Sequence, residues 1–152
     1  MTGSVRRLTH LGICVSELER SVGFYRHALG FVEVGRFCDE HGYGSALLEL
    51  EDVRLTAVYL ERDAWRIELL YYDQPVAVGA NRRRPMNQLG FTHLSFVVED
   101  LDETIALISR HGGAVVEGSR IEFGARAIFA TDPDGTRLEL IQRAGDPMTI
   151  PG

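Results

Sequence analysis

Apolar and polar residues alternate with a period of two along residues 8–15 and again along 91–98, which predicts a strand at each place. Each is followed by a helical period. Ser16-x-x-Glu19 forms a capping box, Leu18, Val22, Tyr25 and Leu29 then fall on one face, and Gly30 ends the run. In the second stretch Asp100-x-x-Glu103 opens the helix, Leu101, Ile105 and Ile108 are its buried stripe, and Gly112-Gly113 stop it. Strand-type segments come next, over 31–37, 53–60 and 66–72 in the first half and over 114–117, 125–131 and 136–142 in the second. Asp132-Pro133-Asp134-Gly135 marks the turn before the last of these, and a short helix is expected over 45–51. The order is βαβββ, twice.

The two halves also repeat in their residues. A shift of 83 positions superposes Thr9-His10-Leu11 on Thr92-His93-Leu94, Val15 on Val98, Leu18 on Leu101, Val22 on Ile105 and Gly30 on Gly113. Such self-similarity signals a duplicated unit. The expected organisation is a single domain over 1–152, with module one over about 6–73, a linker over about 74–89, module two over about 90–143 and a tail over 144–152. Each module also closes on an Arg-x-Glu-Leu type segment, Arg66-Ile67-Glu68-Leu69 and Arg137-Leu138-Glu139-Leu140.

Alternation gives these recurring residues a direction. Leu11, Ile13 and Val15 share one face of the first strand and leave His10, Gly12 and Cys14 on the other; Leu94, Phe96 and Val98 likewise oppose His93 and Ser95. In the later strands Ile67, Leu69 and Tyr71 oppose Glu68, and Leu138 and Leu140 oppose Glu139. A carboxylate in a half-buried sheet is costly unless it is paired or bound to a cation. A lone histidine or glutamate in a strand is most often structural. Joint recurrence, a histidine near the start and a glutamate near the end of each module, is what marks His10, Glu68, His93 and Glu139 as an expected metal set. Two imidazoles and two carboxylates suit one divalent ion of Ni, Co, Zn, Mn or Fe, and four protein ligands leave two sites open for a bidentate substrate.

A formal charge of −6 and a pI near 5.3 argue against nucleic acid or an anionic membrane as partner, which leaves a small-molecule substrate. No apolar run approaches the length of a membrane span and residues 1–8 lack a signal-type apolar core, so a cytoplasmic protein is expected. Two cysteines, Cys14 and Cys38, make neither a disulfide framework nor a zinc site, and each is expected as a small buried hydrophobe. Arg82-Arg83-Arg84 is the dense basic run of an acidic chain. The run that includes Arg83 is a candidate for holding a substrate carboxylate or phosphate, although charge runs are most often solvated linkers; Arg126 and Arg137 are weaker candidates for the same task, Asn87 and Met86 for touching substrate, and Trp65, Tyr43 and Tyr72 for a cavity wall.

Over about residues 6–143 the pattern resembles the vicinal oxygen chelate superfamily, which includes glyoxalase I, methylmalonyl-CoA epimerase, extradiol dioxygenases, fosfomycin-resistance enzymes and bleomycin-binding proteins. The resemblance implies an α+β fold in which two tandem βαβββ modules form a cupped, incompletely closed mixed β-sheet barrel around a divalent metal. His10, Glu68, His93 and Glu139 match all four ligand positions of the glyoxalase I and epimerase branch. Dioxygenase and fosfomycin members generally lack a ligand at the place of Glu68, and bleomycin-type binders usually lack the set. The implied activity is a metal-dependent isomerase, lyase or epimerase acting on a small oxygenated metabolite through a metal-stabilised enediolate. Glu139 would then be ligand and general base, and Glu68 ligand and reprotonating acid. The alternatives are an Fe(II) dioxygenase of the same superfamily and a bleomycin-type binding or resistance protein. The resemblance also implies a homodimer, with the site built within one chain or across two.

Overall fold

The structure, a computed structural model, describes residues 3–79 and 84–142. The chain divides into two compact units, one comprising the chain up to Arg26 with Gly30–Val78, the other His27–Leu29 with the chain from Gly79. The break at 78/79 falls inside the expected linker. No described helix is long and apolar enough to cross a membrane.

Unit one runs β1 (Leu11–Val15), α1 (Leu18–His27), β2 (Val32–Asp39), the four-residue α2 (Ser45–Leu48), β3 (Arg54–Arg62) and β4 (Trp65–Gln74). Its sheet has the order β1-β4-β3-β2, with β1 parallel to β4 and the other pairs antiparallel. Unit two runs β5 (Leu94–Val97), α3 (Leu101–Arg110), β6 (Ala114–Phe123), β7 (Ala125–Thr131) and β8 (Arg137–Gln142). Its order, β5-β8-β7-β6, is the same topology with the same parallel pair. These are the two βαβββ modules of an α+β fold, each an open four-stranded mixed sheet. In both, the parallel partner of the first strand is the last one, which brings the Thr-His segment alongside the Arg-x-Glu segment.

The apolar alternation is buried as expected. Val15, Val58, Leu60, Ile67 and Leu69 lie in the core of unit one, and Leu101, Ile108, Ile128, Leu138 and Leu140 in that of unit two. The helix α1 adds Leu18, Val22 and Tyr25, together with Phe24, which the periodicity did not single out. Phe24, Tyr25 and Phe31 pack edge to face in series.

Several local expectations are corrected. The cap of α1 is Glu17 rather than Ser16: the Arg20 amide donates to Glu17 Oε2 at 2.8 Å, while the Ser16 hydroxyl accepts from the Arg20 guanidinium. Asp100 caps α3 in the expected way, accepting from the Glu103 amide at 2.9 Å. Strand β6 runs beyond residue 117 because its pairing shifts between Val116 and Ile121. The Ser119 hydroxyl bridges that irregularity, donating to the Val116 carbonyl and accepting from the Phe129 amide. Cys14 and Cys38 are both exposed rather than buried, Cys14 because it sits on the face of β1 turned from the core.

Candidate metal centre

His10 and His93 each immediately precede the first ladder residue of a parallel edge strand. The register places Gly12 beside Glu68 and Ser95 beside Glu139, so each histidine, two positions earlier on the same face, meets the glutamate of the last strand. His10 Nε2 lies 3.2 Å from Glu68 Oε2, and His93 Nε2 lies 3.4 Å from Glu139 Oε2. In both units the other ring nitrogen meets the preceding threonine: Thr9 Oγ1 at 3.0 Å and Thr92 Oγ1 at 2.8 Å from Nδ1. The repeated Thr-His is thus a built contact that turns Nε2 toward the carboxylate.

The antiparallel neighbour completes each half. Tyr59 is opposite Glu68 and Phe129 opposite Glu139 in the ladders. Each ring meets its histidine edge-on, at 5.6 Å for His10 and Tyr59 and 5.4 Å for His93 and Phe129. Each also lies beneath an arginine, Arg66 over Tyr59 and Arg137 over Phe129. The halves differ in how the carboxylate is held. The Tyr59 hydroxyl hydrogen-bonds to Glu68, and that bond, with burial and the Glu68 charge, raises the phenol's pKa. In unit two the Ser95 hydroxyl donates to Glu139 Oε2 at 2.7 Å. Gly12, which takes the place of Ser95 in unit one, supplies no such donor. Glu68 is the more enclosed carboxylate, its side chain 14 % exposed against 29 % for Glu139.

The donor spacing of each pair suits two ligands on one metal ion. Donors on adjacent corners of an octahedral ion with ligand distances near ~2.1 Å stand roughly 3 Å apart, close to the two His–Glu separations. Among the described residues no group of three or more His, Cys, Asp or Glu side chains converges, so the candidates stand as two pairs, one in each unit.

The remaining candidates separate by face. Arg126 is on the side of β7 that carries Ile128 and Ala130, opposite to Phe129, and its register partner is Gln142. Its guanidinium bonds Asp102 of α3 at 2.8 Å and Gln142 at 3.0 Å. The Asp102 bond raises the Arg126 pKa and lowers that of Asp102. Arg126 is therefore a strut between sheet and helix, turned from the Glu139 face. Asn87 is exposed in a turn closed by the Gln88 amide on the Pro85 carbonyl. Arg83 lies outside the described residues, as does Arg82. Arg84 binds the carbonyls of Leu89 and Phe91 and so braces the approach to His93. Tyr72 is on the Glu68 face of β4, its hydroxyl pKa raised by burial and by the neighbouring Cys14 and Glu68 charges. Trp65 and Tyr43 are exposed, Trp65 at the β3–β4 hairpin. The aromatic and hydroxyl partners of the pairs were not singled out from sequence, although Thr9 and Thr92 stood in the repeat itself.

A duplicated βαβββ module with a His/Glu pair on equivalent strands defines a class of protein, and comparison with known families agrees. A family model described as Glyoxalase/Bleomycin resistance protein/Dioxygenase superfamily matches residues 7–140. The chain belongs to that superfamily. It is 31 % identical over 144 residues to a lactoylglutathione lyase of Neisseria meningitidis, covering 92 % of this chain and 94 % of that one. It is 30 % identical over 151 residues to a probable chloroplastic lactoylglutathione lyase of Arabidopsis thaliana, covering 93 % of this chain but only 37 % of that longer protein. Among solved structures, a glyoxalase family protein from Bacillus cereus superposes with a TM-score of 0.80 at 24 % identity, over 94 % of this chain and 97 % of the other.

Proposed function

We propose that the protein is a divalent-metal-dependent lyase or isomerase of the glyoxalase type, with His10, Glu68, His93 and Glu139 as the metal ligands. The observation that carries the reading is the pair of equivalent His–Glu contacts, each with a threonine hydroxyl on the far ring nitrogen. The similarity to lactoylglutathione lyases supports the same class of reaction.

The bound ion would act as a Lewis acid on two neighbouring oxygens of the substrate. The protein's own groups do the rest. In the tautomer that donates from Nε2 to the carboxylate, Nδ1 accepts the threonine hydroxyl's hydrogen bond. With Nε2 as a ligand the imidazole would carry its proton on Nδ1, where the threonine oxygen, able to accept as well as donate, would hold it. Glu139 is the general base that removes the proton beside the substrate carbonyl. It is the more open carboxylate, and its hydrogen-bond partner is a rotatable serine hydroxyl that can donate to the carboxylate and accept from the acid. Glu68, enclosed and fixed by the Tyr59 phenol, is the acid that returns the proton.

Solvent exchange tests this. In deuterated water the metal-loaded protein should exchange the carbon-bound proton of S-lactoylglutathione or, for a thiol-free substrate, of dihydroxyacetone, as read by NMR. Glu139→Gln should slow exchange by about 10²–10⁴-fold. Exchange that is metal-independent, or unchanged in Glu139→Gln, contradicts the assignment.

A further inference from the structure

Arg66 and Arg137 hold the same place in the repeat, two residues before each glutamate and on the same side of the strand. Unit one neutralises its arginine: Arg66 forks onto Glu61, its antiparallel neighbour. Unit two does not. Among the described residues no carboxylate lies within ion-pair distance of Arg137, although its side chain is half-buried. One nitrogen, Nη2, donates to the Arg84 carbonyl at 2.7 Å, and the guanidinium carbon stands 5.4 Å from the centroid of the Phe129 ring. That ring is the one packed against His93. A planar cation with five N–H donors is therefore held beside the His93–Glu139 pair by one hydrogen bond and one aromatic face. The nearby arginines are occupied elsewhere: Arg126 and Arg120 pair with Asp102 and Glu122, and Arg84 with backbone carbonyls.

A half-buried charge without a counter-ion is a cost that a bound anion relieves. We propose that Arg137 anchors a substrate carboxylate, so that the substrate is a short oxyacid carrying its charge close to the two neighbouring oxygens that meet the metal. This inference rests on the metal reading above. Alternate residues of a strand are about 6.5–7 Å apart, which sets the charge two or three carbons from the reacting centre. Binding through Arg137 would orient the substrate's proton toward Glu139 and disfavour neutral analogues.

Two hydroxamates of matched length test it, since each offers two neighbouring oxygens to a metal: succinomonohydroxamate, which ends in a carboxylate, and butyrohydroxamate, which ends in a methyl. Their affinities for the Co²⁺-loaded protein are read by calorimetry and by the cobalt visible bands. The carboxylate probe should bind at least ~10-fold more tightly, in line with a charge-assisted bidentate contact. Arg137→Met should erase the difference while leaving butyrohydroxamate unchanged, and Arg137→Lys should restore part of it. Equal affinity of the two probes for the unaltered protein overturns the anchor, and that comparison needs no variant. Equal weakening of both by Arg137→Met overturns it too, leaving the bond to the Arg84 carbonyl as the residue's task. Failure of both probes to perturb the cobalt bands overturns the metal reading and the anchor with it.

Discussion

Glu68 and Glu139 occupy equivalent positions yet meet different hydroxyls, and this is where the two halves of a duplicated unit diverge. A phenol on a ring packed between His10 and Arg66 is a rigid donor, whereas a serine hydroxyl turns about one bond. Partners behind a metal-binding histidine commonly contribute 10- to 100-fold in metal affinity. Thr92→Val is thus expected to weaken Co²⁺ binding by about 10- to 100-fold in a competition titration, with unchanged circular dichroism; an unaltered affinity would remove the threonine from the site. The faces of all four ligand candidates were legible in sequence because alternation within one strand needs no partner. Arg126 was not, because comparing faces across strands requires the register, and pairing with Gln142 turns it to the side of α3. Tyr59 was hidden for the same reason: only the β3–β4 register sets it opposite Glu68.

At the scale of elements, order and type followed from periodicity, while ends and irregularities depended on contacts that no pattern displays. Ser16 looked like the cap of α1, but the helix begins one residue later and Glu17 takes the amide. The β3–β4 hairpin shows a further mismatch between sequence and backbone. Asp63 and Ala64 form its two-residue turn with φ of 51° and 65°, a left-handed pair that favours glycine at the second position. Ala64→Gly should stabilise the protein by about 0.5–1 kcal/mol in urea unfolding, the relief of strain exceeding the added chain entropy. A loss of stability would contradict the turn geometry. The loop after β2 is organised by buried Asp39, which accepts the amides of His41, Gly42, Tyr43 and Gly44. These bonds, that of Gly44 foremost, hold its pKa below the ordinary carboxylate value against the opposing effect of burial. A depressed folded pKa contributes stability that is complete above the unfolded value and is lost as pH falls through the folded one. Asp39→Asn should therefore be less stable than the parent at pH 7, with the gap narrowing as pH falls below about 4; a gap that stays constant or widens on further acidification would exclude the carboxylate's charge as its source.

The whole molecule is two copies of one module that have kept the same strand order, the same parallel pair and the same His–Glu contact. Duplication explains why sequence alone reached the fold and the ligand candidates: every weak signal occurred twice at matching positions. It also poses the central question, since two ligands make a poor site and four make a good one. The decisive measurement is the metal content of protein purified without chelator, taken on the parent and on Glu68→Gln and Glu139→Gln. One divalent ion per chain, lost or sharply weakened by either substitution although they lie in different units, is the expected result. No stoichiometric metal, or an ion that one pair retains undiminished when the other is altered, would contradict the proposed set of four ligands.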